Sequence, residues 1–242
     1  MDYSTEGREE DTCLKQRAGA DAEIAEIRRR LQSMSNPRAA RLAKSALRSP
    51  HAFHGVIPPQ VRALAREIAR RHRKDKTLAP LLATARTLWK SPWHEERSTA
   101  IHMVAALVRR LDHDDWTELK SWVQGVRSVD HCDSIAVDLL GSLVKRDRTW
   151  CRVLKHWTLS KRIWDRRAAV MAVMLRTRQM GDVEAAFYIC ESLMEDRAPQ
   201  VQEGVVAVLS EAWMSDPART KDFLDRWKSK TAPALLAELP LR

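Results

Sequence analysis

The sequence predicts an all-α protein, an α-solenoid of stacked helical pairs curved around a basic concave groove. Three observations carry this reading. Apolar residues recur with helical period from about residue 13 to the end, and no long alternation of Val, Ile, Thr and Tyr suggests a strand. With 7 Gly and 10 Pro in 242 residues, and Leu, Ala, Arg and Glu dominant, most of the chain favours helix. Related segments return every 33 to 36 residues.

The breakers set the elements in order. "SNP" (35–37), "IPP" (57–59), "SPW" (91–93), "LDHDD" (111–115), "SVD" (128–130), "MGD" (180–182), "RAP" (197–199) and "SDP" (215–217) divide the periodic stretch into short helices. Asp130, Thr149, Asp182 and Asp216 each precede an apolar-periodic run and are expected as caps. The polar start "MDYSTEGREEDT" (1–12) is expected to be a disordered tail, and residues 13–242 a single domain.

The repeat lies in "ERSTAIHMVAALV" (96–108), "CDSIAVDLLGSLV" (132–144), "DRRAAVMAVMLR" (165–176) and "VQEGVVAVLSEAW" (201–213). Aligned on Arg97, Asp133, Arg166 and Gln202, the intervals are 36, 33 and 36. Second helices lie between them: "DWTELKSWVQGV", "TWCRVLKHWTL" and "VEAAFYICESLM". A two-helix unit at this period cannot bury its apolar face alone, so neighbours stack. The rival architecture is a compact helical bundle.

Net charge is +10 and the pI about 9.8. Such an excess, largely arginine, suits a polyanion such as nucleic acid, because each neutralised phosphate releases counterions. The four cysteines (Cys13, Cys132, Cys151, Cys190) form no C-x-x-C pair, which fits a reduced, cytoplasmic protein. No apolar run approaches the length of a membrane span.

Most chemical motifs fail on spacing. "HEER" (94–97) lacks the second histidine of H-E-x-x-H, since position 98 is Ser. His131, Cys132 and Asp133 are consecutive, so on a helix they diverge, and no metal is expected. No G-x-S-x-G and no Gly-rich phosphate loop is present, and no cofactor is expected. Nine tryptophans point first to core packing; Trp157 and Trp164, beside Arg166 and Arg167, are candidates to touch sugar and phosphate. Asp133 is the sharpest candidate. It opens an apolar helix while Asp130 already fills the cap role, and an acid in a basic groove needs a chemical reason.

Four segments, in order, resemble the DNA alkylation repair family of HEAT-like-repeat, AlkD-like DNA glycosylases: "FHGVIPPQVRALAREIA" (53–69), "LWKSPWHEERSTAIHMV" (88–104), "VDHCDSIA" (129–136) and "HWTLSKRIWDRRAAVMAV" (156–173). The resemblance implies hydrolysis of the N-glycosidic bond of cationic alkylpurines in duplex DNA, such as N3-alkyladenine and N7-alkylguanine. It further implies that the damaged base is not flipped. By motif position Asp133 is the catalytic aspartate that stabilises the oxocarbenium-like sugar, and Arg167 holds backbone phosphate. Arg166, Trp164, Trp157, Arg97 and Arg62 are further candidate DNA contacts. A monomeric, nucleoid-associated protein is implied. Two positions depart from the family. Val129 stands where a tryptophan often precedes the aspartate by four residues, and Ala207 falls where a second aromatic is expected. Three readings stay open: a glycosylase in which Trp164 or Trp93 substitutes, or whose groove accepts bulkier adducts; a non-catalytic binder of damaged or branched DNA; and a protein-binding solenoid.

Overall fold

The computed structural model describes the backbone of residues 6–228 and side chains from residue 19. Among the described residues it is helical without a strand; one isolated bridge joins Ala52 to Trp93. The helix drawn from Glu6 overlaps the expected tail at 1–12, of which residues 1–5 lie outside the described residues. The chain divides into two compact units, one through Leu111 and one from Asp112 onward. None of the described helices is long and apolar enough to cross a membrane.

Unit 1 holds α1 (Glu6–Ser33), α2 (Pro37–Leu47), α3 (Pro58–Arg71), α4 (Ala79–Trp89) and α5 (His94–Ala106). Prolines at the first turns of α2, α3 and α4 cost nothing, because their missing N–H would be an orphan there. Helix α5 packs on α3 and α4, and α1 packs on α4. Ile68, Leu81, Leu88, Ile101 and Met103 are fully buried between them. Each such side chain contributes roughly 1.5–3 kcal/mol.

"HEER" proves to be a structural staple. His94 stacks on Phe53 at 4.4 Å. The buried Glu95 carboxylate accepts the backbone N–H groups of His54 (3.0 Å), Gly55 (2.7 Å) and Val56 (3.2 Å). Gly55 has φ +81, and a Cβ there would meet Asn36 O at 2.1 Å, so only glycine lets this loop touch the start of α2. Glu96 takes Arg28 Nε at 3.0 Å.

Unit 2 holds α6 (Trp116–Gln124), α7 (Val129–Asp133), α8 (Gly141–Arg146), α9 (Trp150–Trp157), α10 (Ile163–Met171), α11 (Met174–Met180), α12 (Val183–Cys190), α13 (Pro199–Ser215) and α14 (Pro217–Trp227). Between α7 and α8 the helix continues through a π segment, Ser134–Leu140. Helix α13 contacts α10, α11, α12 and α14, while α7 packs on α10. Trp116 stacks on Trp150 at 3.9 Å, and Phe187 on Phe223 at 4.6 Å.

Two caps are as expected: Asp182 accepts Ala185 N–H at 3.1 Å, and Asp216 accepts Arg219 N–H at 3.0 Å. Two are corrected. Ser128 occupies the extended N-cap position of α7, which places Asp130 inside the first turn. Thr149 makes no side-chain cap; Asp147 Oδ1 accepts Thr149 N–H at 2.9 Å instead. Aspartate two residues before a turn reaches the backbone more easily than a β-branched threonine held in helical conformation.

Candidate active site around Asp133

Helix starts refine the repeat register. Arg97, Arg166 and Gln202 are each the fourth residue of their helix. Each donates to the carbonyl six residues back: Arg97 Nε to Ser91 O (2.8 Å), Arg166 Nη1 to Ser160 O (2.8 Å) and Gln202 Nε2 to Asp196 O (2.7 Å). This position clamps the preceding loop. In α7 it is Cys132, whose thiol instead reaches Trp164 O at 3.6 Å. The equivalent carbonyl, Val126 O, is taken by Arg127 Nη1 at 2.7 Å. Asp133 therefore does not belong with Arg166 and Gln202, as the sequence alignment set it. It is level with Arg167 and Glu203, one residue later.

Those three side chains meet. Arg167 Nε donates to Asp133 Oδ1 and Nη2 to Oδ2, both at 2.7 Å, a bidentate fork. Nη1 donates to Gln200 O and reaches Glu203 Oε2 at 3.3 Å. Arg167 is 6% exposed and Asp133 29%, so the arginine is sunk and the carboxylate reaches the surface. Burial opposes the arginine's charge, but Asp133 more than offsets it and holds its pKa above the ordinary value. One guanidinium between two carboxylates leaves the cluster net negative.

Local sequence explains the placement. Gly204 sits one residue after Glu203, and a Cβ there would lie 2.8 Å from Val170 Cγ1 and 3.8 Å from Arg167 Cγ. Its absence lets α13 close on α10 and lets Arg167 span to both neighbours. Asp133 ends α7 where the π segment begins, a hydrogen-bond register found often at functional sites. Cys132 is fully buried, and burial pushes its thiol pKa far up, so it is no thiolate nucleophile.

The other candidates fall in different places. Arg166 forks onto Asp196 at 2.6 and 3.2 Å. Trp157 is buried and tilted against Trp116 at 5.7 Å. Trp164 is half-buried, its carbonyl tied to Cys132. Val129 and Ala207 are both half-buried, each one helical turn from Asp133 or Glu203 and so on the same helix face. In unit 1, Arg97 lies over Trp89 at 4.8 Å, and Arg62 is exposed. Sequence reasoning missed Glu203, Gln200 and Gly204. Counting from helix starts, rather than from the best-looking repeat match, would have found Glu203.

A family model for the DNA alkylation repair enzyme matches residues 27–238. Among solved structures, the chain is similar to a predicted DNA alkylation repair enzyme from Enterococcus faecalis, with 16% identity and TM-score 0.74 over 85% of this chain and 94% of that one. It is also similar to AlkD2 from Streptococcus mutans, with 17% identity and TM-score 0.58 over 72% of this chain and 84% of that one. At such identities the likeness establishes the fold. No protein with a curated description matches the chain. The chain belongs to the DNA alkylation repair enzyme family.

Proposed function

We propose that the protein is a monofunctional DNA glycosylase that releases cationic alkylpurines, N3-alkyladenine and N7-alkylguanine, from duplex DNA. The observation that carries this reading is the Asp133–Arg167 fork, with the arginine sunk and the carboxylate at the surface. A cationic base is a good leaving group, and its departure leaves positive charge on the sugar. A carboxylate already fixed in orientation stabilises that charge without reorganising, an effect worth several kcal/mol in a water-poor site. Glu203 helps by keeping the cluster net negative despite Arg167. Trp164, half-buried, is the aromatic we propose for contact with the sugar. Val129 and Ala207, small where aromatics are expected, leave the face beside Asp133 and Glu203 open to bulky adducts.

Methylated duplex DNA tests this reading. Wild-type protein should release free 7-methylguanine and 3-methyladenine, leaving abasic sites. Val129 and Ala207 also favour a second reading, a binder of damaged or branched DNA that does not cut. Tight binding to methylated duplex with no base released, from methylated or bulky-adduct DNA, would establish it instead.

A further inference from the structure

Helix α3 carries Arg62, Arg66 and Arg70 at four-residue spacing, opposite its buried face of Val61, Leu64, Ala65, Ile68 and Ala69. All three are exposed, and none forms an ion pair among the described residues. Acids are available to α3. Arg71, on its other side, takes Glu26 at 2.7 Å, and Glu67 takes Arg30 at 2.7 Å. Like charges four residues apart on a helix repel, so this row is a local liability with no acid partner among the described residues.

We infer that Arg62, Arg66 and Arg70 form a phosphate-tracking ridge for the backbone of duplex DNA. The inference rests on the duplex-DNA reading above and extends it to side chains in unit 1. The three Cα atoms span about 12 Å, at 1.5 Å per residue. A strand of B-DNA presents one phosphate per roughly 3.4 Å of axis, so a duplex along α3 offers each arginine its own phosphate. The contacts carry no sequence information; they set register and supply affinity.

The test is the salt dependence of binding to an unmodified duplex. Neutralising one phosphate contributes a slope of about −0.9 in log K against log salt. The triple variant R62Q/R66Q/R70Q should lose between two and three from the wild-type slope, and about 10- to 100-fold in affinity at low salt. Its Tm should be unchanged or higher, since glutamine is as good a helix former and the repulsion is gone. The control R178Q/R219Q/K221Q removes equal charge from cations held by Glu211, Glu184 and Asp225, and should keep the wild-type slope. If wild type binds duplex with a steep slope and the ridge variant matches it, the ridge is refuted while the duplex-DNA reading stands. If wild type itself shows no salt-dependent duplex binding, the duplex-DNA reading fails and takes the ridge with it.

Discussion

In unit 2, Arg166 forks onto Asp196 and Arg167 onto Asp133, Arg176 donates through Nε to Asp182, and Arg178 reaches Glu211. In unit 1, Arg38, Arg41, Lys44 and Arg48 of the α2 region, with Arg62, Arg66 and Arg70 of α3, are all exposed, with no acid partner among the described residues. One residue type thus does two jobs. In unit 2 these arginines fix carboxylates; in unit 1 Arg28, Arg30 and Arg71 do the same, while the other α2 and α3 cations present exposed positive charge with no acid partner among the described residues. On the proposed function, the difference separates chemistry from affinity. An acid near a departing cationic base must be held still, whereas phosphate contacts need only be numerous and near the surface.

Arg167 should show the largest effect of substitution. Arg167→Met should lower stability by about 2–4 kcal/mol, because Asp133 and the Gln200 carbonyl lose a shared buried donor. Lysine should not restore it, lacking the fork. Urea titration reads the loss, and base release should fall with it while the salt slope of DNA binding holds. At most one of the five Arg167 N–H donors is uncommitted, so a clear drop in slope would mean that it reaches phosphate after all.

A smaller effect sharpens the same point. Gly204→Ala puts a methyl 2.8 Å from Val170 Cγ1, so either the Val170 side chain or the α10–α13 spacing must give. The expected cost is about 1–3 kcal/mol. If the spacing gives, base release should fall further than stability alone accounts for, because Arg167 then spans a wider gap. Equal activity per folded molecule would show that the spacing holds or is not critical.

The smallest effect belongs to unit 1. His72 lies between Asp75 (Nδ1, 2.8 Å) and Glu23 (Nε2, 3.1 Å). The Glu23 bond raises its pKa above 6.5; burial works against this and Asp75 adds to it. Because the folded value exceeds the unfolded one, the stabilisation is complete below about pH 6.5 and is lost as pH rises through the folded value. The urea midpoint of the wild type should therefore fall between pH 6 and 9. His72→Gln should flatten that fall, and an identical profile would remove His72 as its cause.

Much of this was legible in the sequence. Pro37, Pro58, Pro199 and Pro217 each open a helix where the breakers place one, since proline fixes the first-turn φ. The family segments "FHGV" and "EER" are both visible in the sequence, and Glu95 joins them through the loop amides. The π segment was not legible, because a shift in hydrogen-bond register leaves no mark on apolar spacing. Nor was the pairing of Asp133 with Arg167 rather than Arg166. Intervals of 33 to 36 blur a one-residue step, and that step decides whether a side chain clamps its own loop or crosses to the next helix pair. Which arginines meet acids was likewise hidden, since most of these pairs join residues thirty or more apart.

The central claim is that the Asp133 carboxylate stabilises the sugar as the base leaves. The direct measurement is single-turnover release of 7-methylguanine from methylated duplex by Asp133→Asn beside wild type, with duplex affinity measured on both. Asparagine keeps the size and can still accept from Arg167. Release should slow by at least about 100-fold while affinity stays within a few-fold. Release at the wild-type rate would contradict it.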